Sequence, residues 1–213
     1  MPSAQRLTKP SVKDGGGRQI KPDVVAYKKA RILEEASALF FDKGYDIATL
    51  EMLADRLHVT KPFLYTYFRN KSDILAAVCA VGVTESLSAL DVVSDAPGTP
   101  ADRLRAALEE VARIIIKRTD YIVVYQREIM NLERSDAQRI IRLRHEFDIR
   151  VARLIEDCQK AGQITLDDAP AMSVWIGGLL VWLPNCYRPG SRRSADEIVD
   201  QAVHACLRLV GIQ

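Results

Sequence analysis

Apolar residues recur along this chain at helical spacing. Leu50, Leu53, Ala54 and Leu57 fall at i, i+3, i+4 and i+7, the signature of one buried helical face. Upstream, Ala30, Leu33, Ala36, Leu39 and Phe40 form a second stripe that ends at Asp42-Lys43-Gly44-Tyr45, where glycine is a natural helix stop. Asn70-Lys71-Ser72-Asp73 starts a fourth helix through Leu75 and Val78 toward Leu90. After the breaker Asp95-Ala96-Pro97-Gly98, Thr99-Pro100 supplies an N-cap and a first-position proline ahead of Leu104, Leu108, Val111 and Ile115. A sixth helix covers residues 119–132. Ser135-x-x-Gln138 then reads as a capping box opening a long helix through Ile140, Leu143, Phe147, Val151, Leu154 and Ile155 to a stop at Gly162. Asp168 with Pro170 begins an apolar eighth helix that ends near Pro184 or Tyr187. Ser194-x-x-Glu197 is a second box, opening a last helix with Ile198, Ala202, Ala205 and Leu209 on one face. Strand-like alternation competes nowhere, so the pattern predicts an all-α protein of about nine helices.

Residues 49–71 stand out as two short helices joined by a tight turn, a helix-turn-helix whose natural partner is double-stranded DNA. Thr60 can cap the second helix, and Pro62 is tolerated in its first turn because its missing amide hydrogen would be unpaired there. With Phe63, Leu64 and Phe68 turned toward a small core, Thr60, Lys61, Tyr65, Thr66 and Tyr67 face outward or flank the contact surface. Lys61 and Lys71 are placed to neutralise phosphates. The hydroxyls of Thr49, Thr60 and Tyr67 can donate to phosphate oxygens, and such contacts fix register without reading sequence.

Charge sharpens this division. The net charge of the 213 residues is only +2, but residues 1–71 carry 13 Lys and Arg against 8 Asp and Glu, whereas residues 72–213 carry 17 against 20. The basic end is the one with the DNA motif, as electrostatic steering requires. Residues 1–22, with Gly15-Gly16-Gly17 and the cations Arg6, Lys9, Lys13, Arg18 and Lys21, are expected to be a disordered basic arm. Cys79, Cys158, Cys186 and Cys206 form no CxxC pair and no secretory leader opens the chain, which predicts a reduced, cytoplasmic protein. The run Ala171–Leu183 is too short for the roughly 20 residues of a membrane span. No phosphate loop, HExxH or GxSxG supports an enzyme, and His58, His145 and His204 are too scattered for a metal site. Catalytic residues, metal and cofactor are accordingly expected to be absent. Cys186 beside Arg188 is the best candidate for a redox-responsive thiol, against the plainer reading of four small buried side chains.

Arg31-Ile32-Leu33, Ala36, Leu39-Phe40, Gly44-Tyr45, Thr49, Ala54, Val59-Thr60-Lys61, Leu64-Tyr65, Tyr67-Phe68 and Lys71 together resemble the DNA-binding domain of the tetracycline-repressor (TetR) family. The resemblance implies a DNA-binding domain over 23–71 and a helical ligand-binding and dimerisation domain over 72–213. His58 departs from it, because the family prefers glycine in that turn. His is nevertheless among the residues that tolerate a left-handed backbone at modest cost. The resemblance further implies a homodimer on a near-palindromic operator, with Trp175, Gly178, Trp182, Ala202, Ala205 and Leu209 at the subunit interface. It also implies a small-molecule effector that usually releases DNA, and no membrane partner. Trp182-Leu183-Pro184-Asn185-Cys186-Tyr187-Arg188-Pro189-Gly190 resembles the Trp/Tyr-Arg-Pro-Gly ending of members that sense acyl-CoA thioesters. Tyr121, Tyr125, Arg127, Arg144, Phe147, Trp175, Trp182 and Arg188 are the candidate ligand contacts as a set, although any single arginine fits a solvated helix face better. The alternative effector is a free aromatic or lipophilic compound that controls an efflux or stress gene.

Overall fold

A computed structural model of the chain describes residues 22–188 and 190–212. The expected basic arm and its cations lie outside the described residues, as does Pro189. Among the described residues every regular element is helical: α1 (Pro22–Lys43), α2 (Leu50–Leu57), α3 (Lys61–Tyr65), α4 (Lys71–Ser94), α5 (Pro100–Lys117), α6 (Thr119–Glu128), a 3-10 turn (Ile129–Asn131), α7 (Arg134–Lys160), α8 (Ala169–Val181), α9 (Leu183–Cys186) and α10 (Ala195–Leu209). The all-α architecture expected from the pattern is thus observed. The chain divides into two compact units, with the boundary inside α4 after Ile74.

In the first unit α1 packs on α2, and α2 on α3. Its buried side chains include Ile32, Ala36, Leu39, Phe40, Leu53, Ala54 and Leu64, each large one contributing about 1.5–3 kcal/mol by leaving water. The buried stripe of α1 therefore runs through Ile32; Ala30, expected to belong to it, is exposed and Leu33 only half-buried. Gly44 ends α1 at φ +81, its amide donating to the Phe40 carbonyl at 3.0 Å. Only glycine reaches that backbone region without strain.

In the second unit α5 is the central helix, packed on both α7 and α10, while α7 also packs on α8. Leu104, Leu108, Val111, Ile155, Ile176, Val199 and Cys206 form the centre of one apolar cluster. Two capping boxes are present. Ser194 closes with Glu197 as expected, and Thr99 closes with Asp102, a partner the sequence pattern did not reveal. The box expected at Ser135 does not form. Glu133 is already the N-cap of α7, and its carbonyl accepts the amides of Asp136 and Ala137, both at 2.9 Å; Ser135 sits exposed inside the first turn. The sixth helix stops at Glu128 and continues only as a 3-10 turn. The eighth ends at Val181 instead of near Pro184, and the carbonyl released there accepts from Gln126 Nε2 at 2.8 Å. By length and composition alone α4 is apolar enough to cross a membrane. Two of its three acidic residues are nevertheless held by the second unit: Glu85 pairs with Arg118, and Asp91 pairs with Arg150. That is the pattern of a core helix in a folded domain.

Candidate nucleic-acid interface and effector cavity

The turn between α2 and α3 is built by three local choices. Thr49 caps α2, its Oγ1 accepting from the Met52 amide at 3.2 Å. His58 turns the chain at φ 54 and ψ 43, the left-handed conformation usually left to glycine. Thr60 then begins α3 with extended backbone and no capping bond from its side chain, and Pro62 occupies the first turn. Along α3 and at its ends, Thr60, Pro62, Tyr65 and Thr66 are exposed, Tyr65 by 50%. Thr66 Oγ1 donates to the Pro62 carbonyl at 3.3 Å.

Two of the expected phosphate contacts are arranged differently. Tyr67, expected to face outward, is buried and packs on Phe63 with ring centroids 5.1 Å apart, because the turn after α3 folds it back under the helix. Lys71, expected to neutralise a phosphate, donates to the carbonyls of Tyr45 and Ala48 at 2.8 and 2.9 Å and lies 4.2 Å from the Tyr45 ring centroid. It ties the loop before α2 to the start of α4. Lys61 forms an ion pair with Glu51 of α2. That hydrogen bond lowers the Glu51 pKa and raises that of Lys61. Lys28 and Lys29 of α1 stack over Phe63 and Phe68, with Nζ 5.4 and 5.6 Å from the centroids. Basic and aromatic groups thus alternate around the second helix of the motif.

The second unit holds a partly open cavity of ≈ 60 Å³ walled by α4 to α8, with Gly82, Ile122, Tyr125, Arg144, Phe147 and Leu180 among its lining. The walls are apolar apart from a few groups. Arg144 Nη1 lies 3.4 Å from the Tyr125 hydroxyl, and its guanidinium lies 5.8 Å from that ring centroid. Ser86 Oγ is occupied by the Gly82 carbonyl at 2.9 Å. Burial pushes the Cys79 thiol up to about 12, so it stays protonated and chemically inert. Asp148, one turn after Arg144, has its carboxyl pushed up by burial, with Arg144 and His145 opposing.

Of the candidate ligand contacts, Tyr125, Arg144 and Phe147 come together in this lining. The others do not line it. Tyr121 is buried under the Arg118 guanidinium, 5.3 Å from its ring centroid; Arg127 and Arg188 are exposed. Trp175 and Trp182 are 67% and 60% exposed. Gly82 and Ile122 were missed, although a glycine inside an otherwise apolar helix costs about 1 kcal/mol relative to alanine and is itself a signal.

Trp175, Gly178 and Trp182 instead share the outer face of α8, at i, i+3 and i+7. Beside them a surface groove of ≈ 430 Å³ runs to α9 and α10, lined by Leu179, Cys186, Gln201 and Ala202 as well as Gly178 and Trp182. Leu209 is 45% exposed and Ala205 half-buried on α10, whereas Ala202 is largely part of the protomer's own core. Single exposed apolar residues are ordinary, but two tryptophans on one helical face form a patch that calls for a partner.

A helix-turn-helix ringed by hydroxyls and cations, carried by a chain whose other unit is a helical bundle with an apolar cavity, defines a one-component DNA-binding regulator. Residues 32–78 match the family of bacterial regulatory proteins of the tetR type, and residues 97–210 match the tetracyclin repressor-like C-terminal domain. The chain belongs to the TetR family of transcriptional regulators, and is not an enzyme. It is 25% identical over 187 residues to the transcriptional repressor KstR of Mycolicibacterium smegmatis, covering 86% of both chains. To the transcriptional activator FasR of the same organism it is 34% identical over 82 residues, 38% of this chain and only 37% of that protein. The crystal structure of AibR in complex with isovaleryl coenzyme A and operator DNA shares its fold, with a TM-score of 0.70 at 22% identity over 84% of this chain and 97% of that one.

Proposed function

We propose that the protein is a cytoplasmic homodimeric repressor that loses its near-palindromic operator when an acyl-CoA thioester places its acyl group in the cavity of the second unit. The observation that carries the effector reading is the cavity itself: a partly open, apolar space with Arg144 and Tyr125 among its few polar walls. Apolar enclosure with a few convergent polar groups is the usual form of a small-molecule site. AibR, a protein of the same fold, is known in complex with a thioester of this class. In this reading residues 23–71 read DNA, with α3 of each protomer in successive major grooves roughly 34–36 Å apart. Residues 72–213 hold the effector and dimerise through the α8–α10 face that exposes Trp175 and Trp182.

Release follows if the thioester fits only a conformation in which the walls have moved, since a ligand shifts an equilibrium only by its differential affinity for the two states. The cavity is far smaller than the ≈ 300–1,000 Å³ of drug-sized sites, so the cavity wall cannot stay where it is around a large ligand. α4 contributes residues to both units. Arg118 Nε and Nη2 hold Glu85 at 2.9 and 2.7 Å, and Arg150 joins Asp91 to Glu146. Displacement of α6 or α7 therefore pulls on α4.

The test is a gel-shift titration against DNA from immediately upstream of the protein's own gene, with acyl-CoA thioesters and their free acids. Dissociation by a thioester alone supports the reading. Dissociation by the free acid instead assigns the effector to the lipophilic-acid class, for which Arg144 supplies a cation. A tight complex indifferent to the whole panel contradicts both.

A further inference from the structure

We infer that Lys28 of α1, outside the helix-turn-helix, is a further DNA contact: it neutralises a phosphate on the strand that runs along the α1 side of the reading helix. This rests on α3 reading DNA, as proposed above, and is independent of what the effector is.

α3 presents one exposed face. At 3.6 residues per turn successive side chains are about 100° apart, so Pro62, Tyr65 and Thr66, all exposed, share that face. Lys61 and Phe63, both half-buried, lie at its two edges, about 200° apart across it. At the Lys61 edge stands α2, whose Glu51 pairs with the ammonium. At the Phe63 edge stands α1, with Lys28 Nζ 5.4 Å from the Phe63 ring centroid. Tyr67 braces that ring from beneath, with centroids 5.1 Å apart. A cation therefore stands at each edge of the reading face. A helix seated in the major groove, about 12 Å wide, has a phosphate strand along either side, so each cation meets its own strand. The two are held differently. Lys61 has a carboxylate to give up, and Lys71, the other cation of the motif, is committed to the carbonyls of Tyr45 and Ala48. Among the described residues no carboxylate pairs with Lys28 and no hydrogen bond occupies its ammonium. The aromatic face positions that ammonium without neutralising it, which leaves its full charge for a phosphate oxygen. Lys29 serves differently: it stacks on the buried Phe68, and its charge acts on Asp73, which already takes Arg69.

The experiment uses the full-length protein, a fluorescent duplex from immediately upstream of its own gene and a random-sequence duplex of equal length. Affinity for each is measured by anisotropy from about 50 to 200 mM salt. Lys28→Met keeps an unbranched apolar stem over Phe63 and removes the charge; Lys28→Gln gives the same readout where the methionine variant does not fold. Either should lower the slope of log affinity against log salt by about one for each protomer on DNA. Both duplexes should weaken by the same factor, since a phosphate contact carries no sequence information. Lys28→Arg should keep the slope and the affinity. Lys117→Met, which removes an exposed cation from α5 in the second unit, should leave the slope unchanged. A wild-type slope in the uncharged Lys28 variant overturns the contact, whatever happens to thermal stability, and so does an equal fall in Lys117→Met. A loss confined to the upstream duplex also overturns it, because that is base reading. Failure of the wild type to bind either duplex removes the DNA reading and the contact together.

Discussion

Glu51 and Lys61 show how a residue can be legible while its state is not. Lysine at the start of the second helix marks a phosphate contact from sequence alone, but its pairing with a carboxylate on the preceding helix is set by the packing of α2 on α3. DNA must therefore compete with Glu51 for Lys61. Glu51→Gln should raise affinity for non-operator DNA by a few-fold at low salt, a small effect because exposed ion pairs are weak. Lys61→Met should abolish that gain, and an equal gain in both backgrounds would reduce it to net charge alone. The partners of Lys71 are hidden from sequence for the same reason: its two carbonyl acceptors sit 26 and 23 residues away in the chain, at Tyr45 and Ala48. Its removal should lower stability by about 1–3 kcal/mol, the range for hydrogen bonds to a charged group. Denaturant midpoints of Lys71→Ala check this, whereas a purely phosphate-binding lysine would leave them unmoved and flatten only the salt dependence of binding. His58 is the opposite case, since the sequence departure from glycine and the left-handed backbone agree.

At the scale of elements, helices and most of their ends were readable, because periodicity and caps are local. Ser194 closes its box with Glu197 at 3.1 and 2.7 Å. Ser135 has the same spacing to Gln138 but no such role, because the extended backbone of Glu133 starts α7 two residues earlier. Ser194→Ala should accordingly cost about 1 kcal/mol, and Ser135→Ala should stay within about 0.5 kcal/mol; thermal unfolding of the two variants side by side tests the distinction. Helix faces were harder than helix ends. The tryptophans of α8 belong to a strongly apolar segment in which periodicity does not mark an inner side, so sequence could not separate Trp175 and Trp182, which face outward, from Ile176 and Leu180, which are buried. The cavity was half visible for a related reason: Tyr125, Arg144 and Phe147 carry recognisable chemistry, whereas Gly82 and Ile122 matter only through the approach of α6 to α4.

For the whole molecule, the proposed dimer would serve the helix-turn-helix, since a single five-residue reading helix offers few base contacts and a two-fold pair doubles them. Trp175→Arg should yield a folded monomer in sedimentation experiments and lose operator binding at concentrations where the wild type is saturated; an intact dimer would place the subunit interface elsewhere. In the proposed regulator DNA reading and effector binding are coupled within one chain, and thermodynamic linkage exposes that coupling. Operator affinity is measured with and without a saturating acyl-CoA thioester, and acyl-CoA affinity with and without saturating operator. Each should weaken the other by the same factor, as reciprocity requires. Two affinities that are each indifferent to the other partner would contradict it.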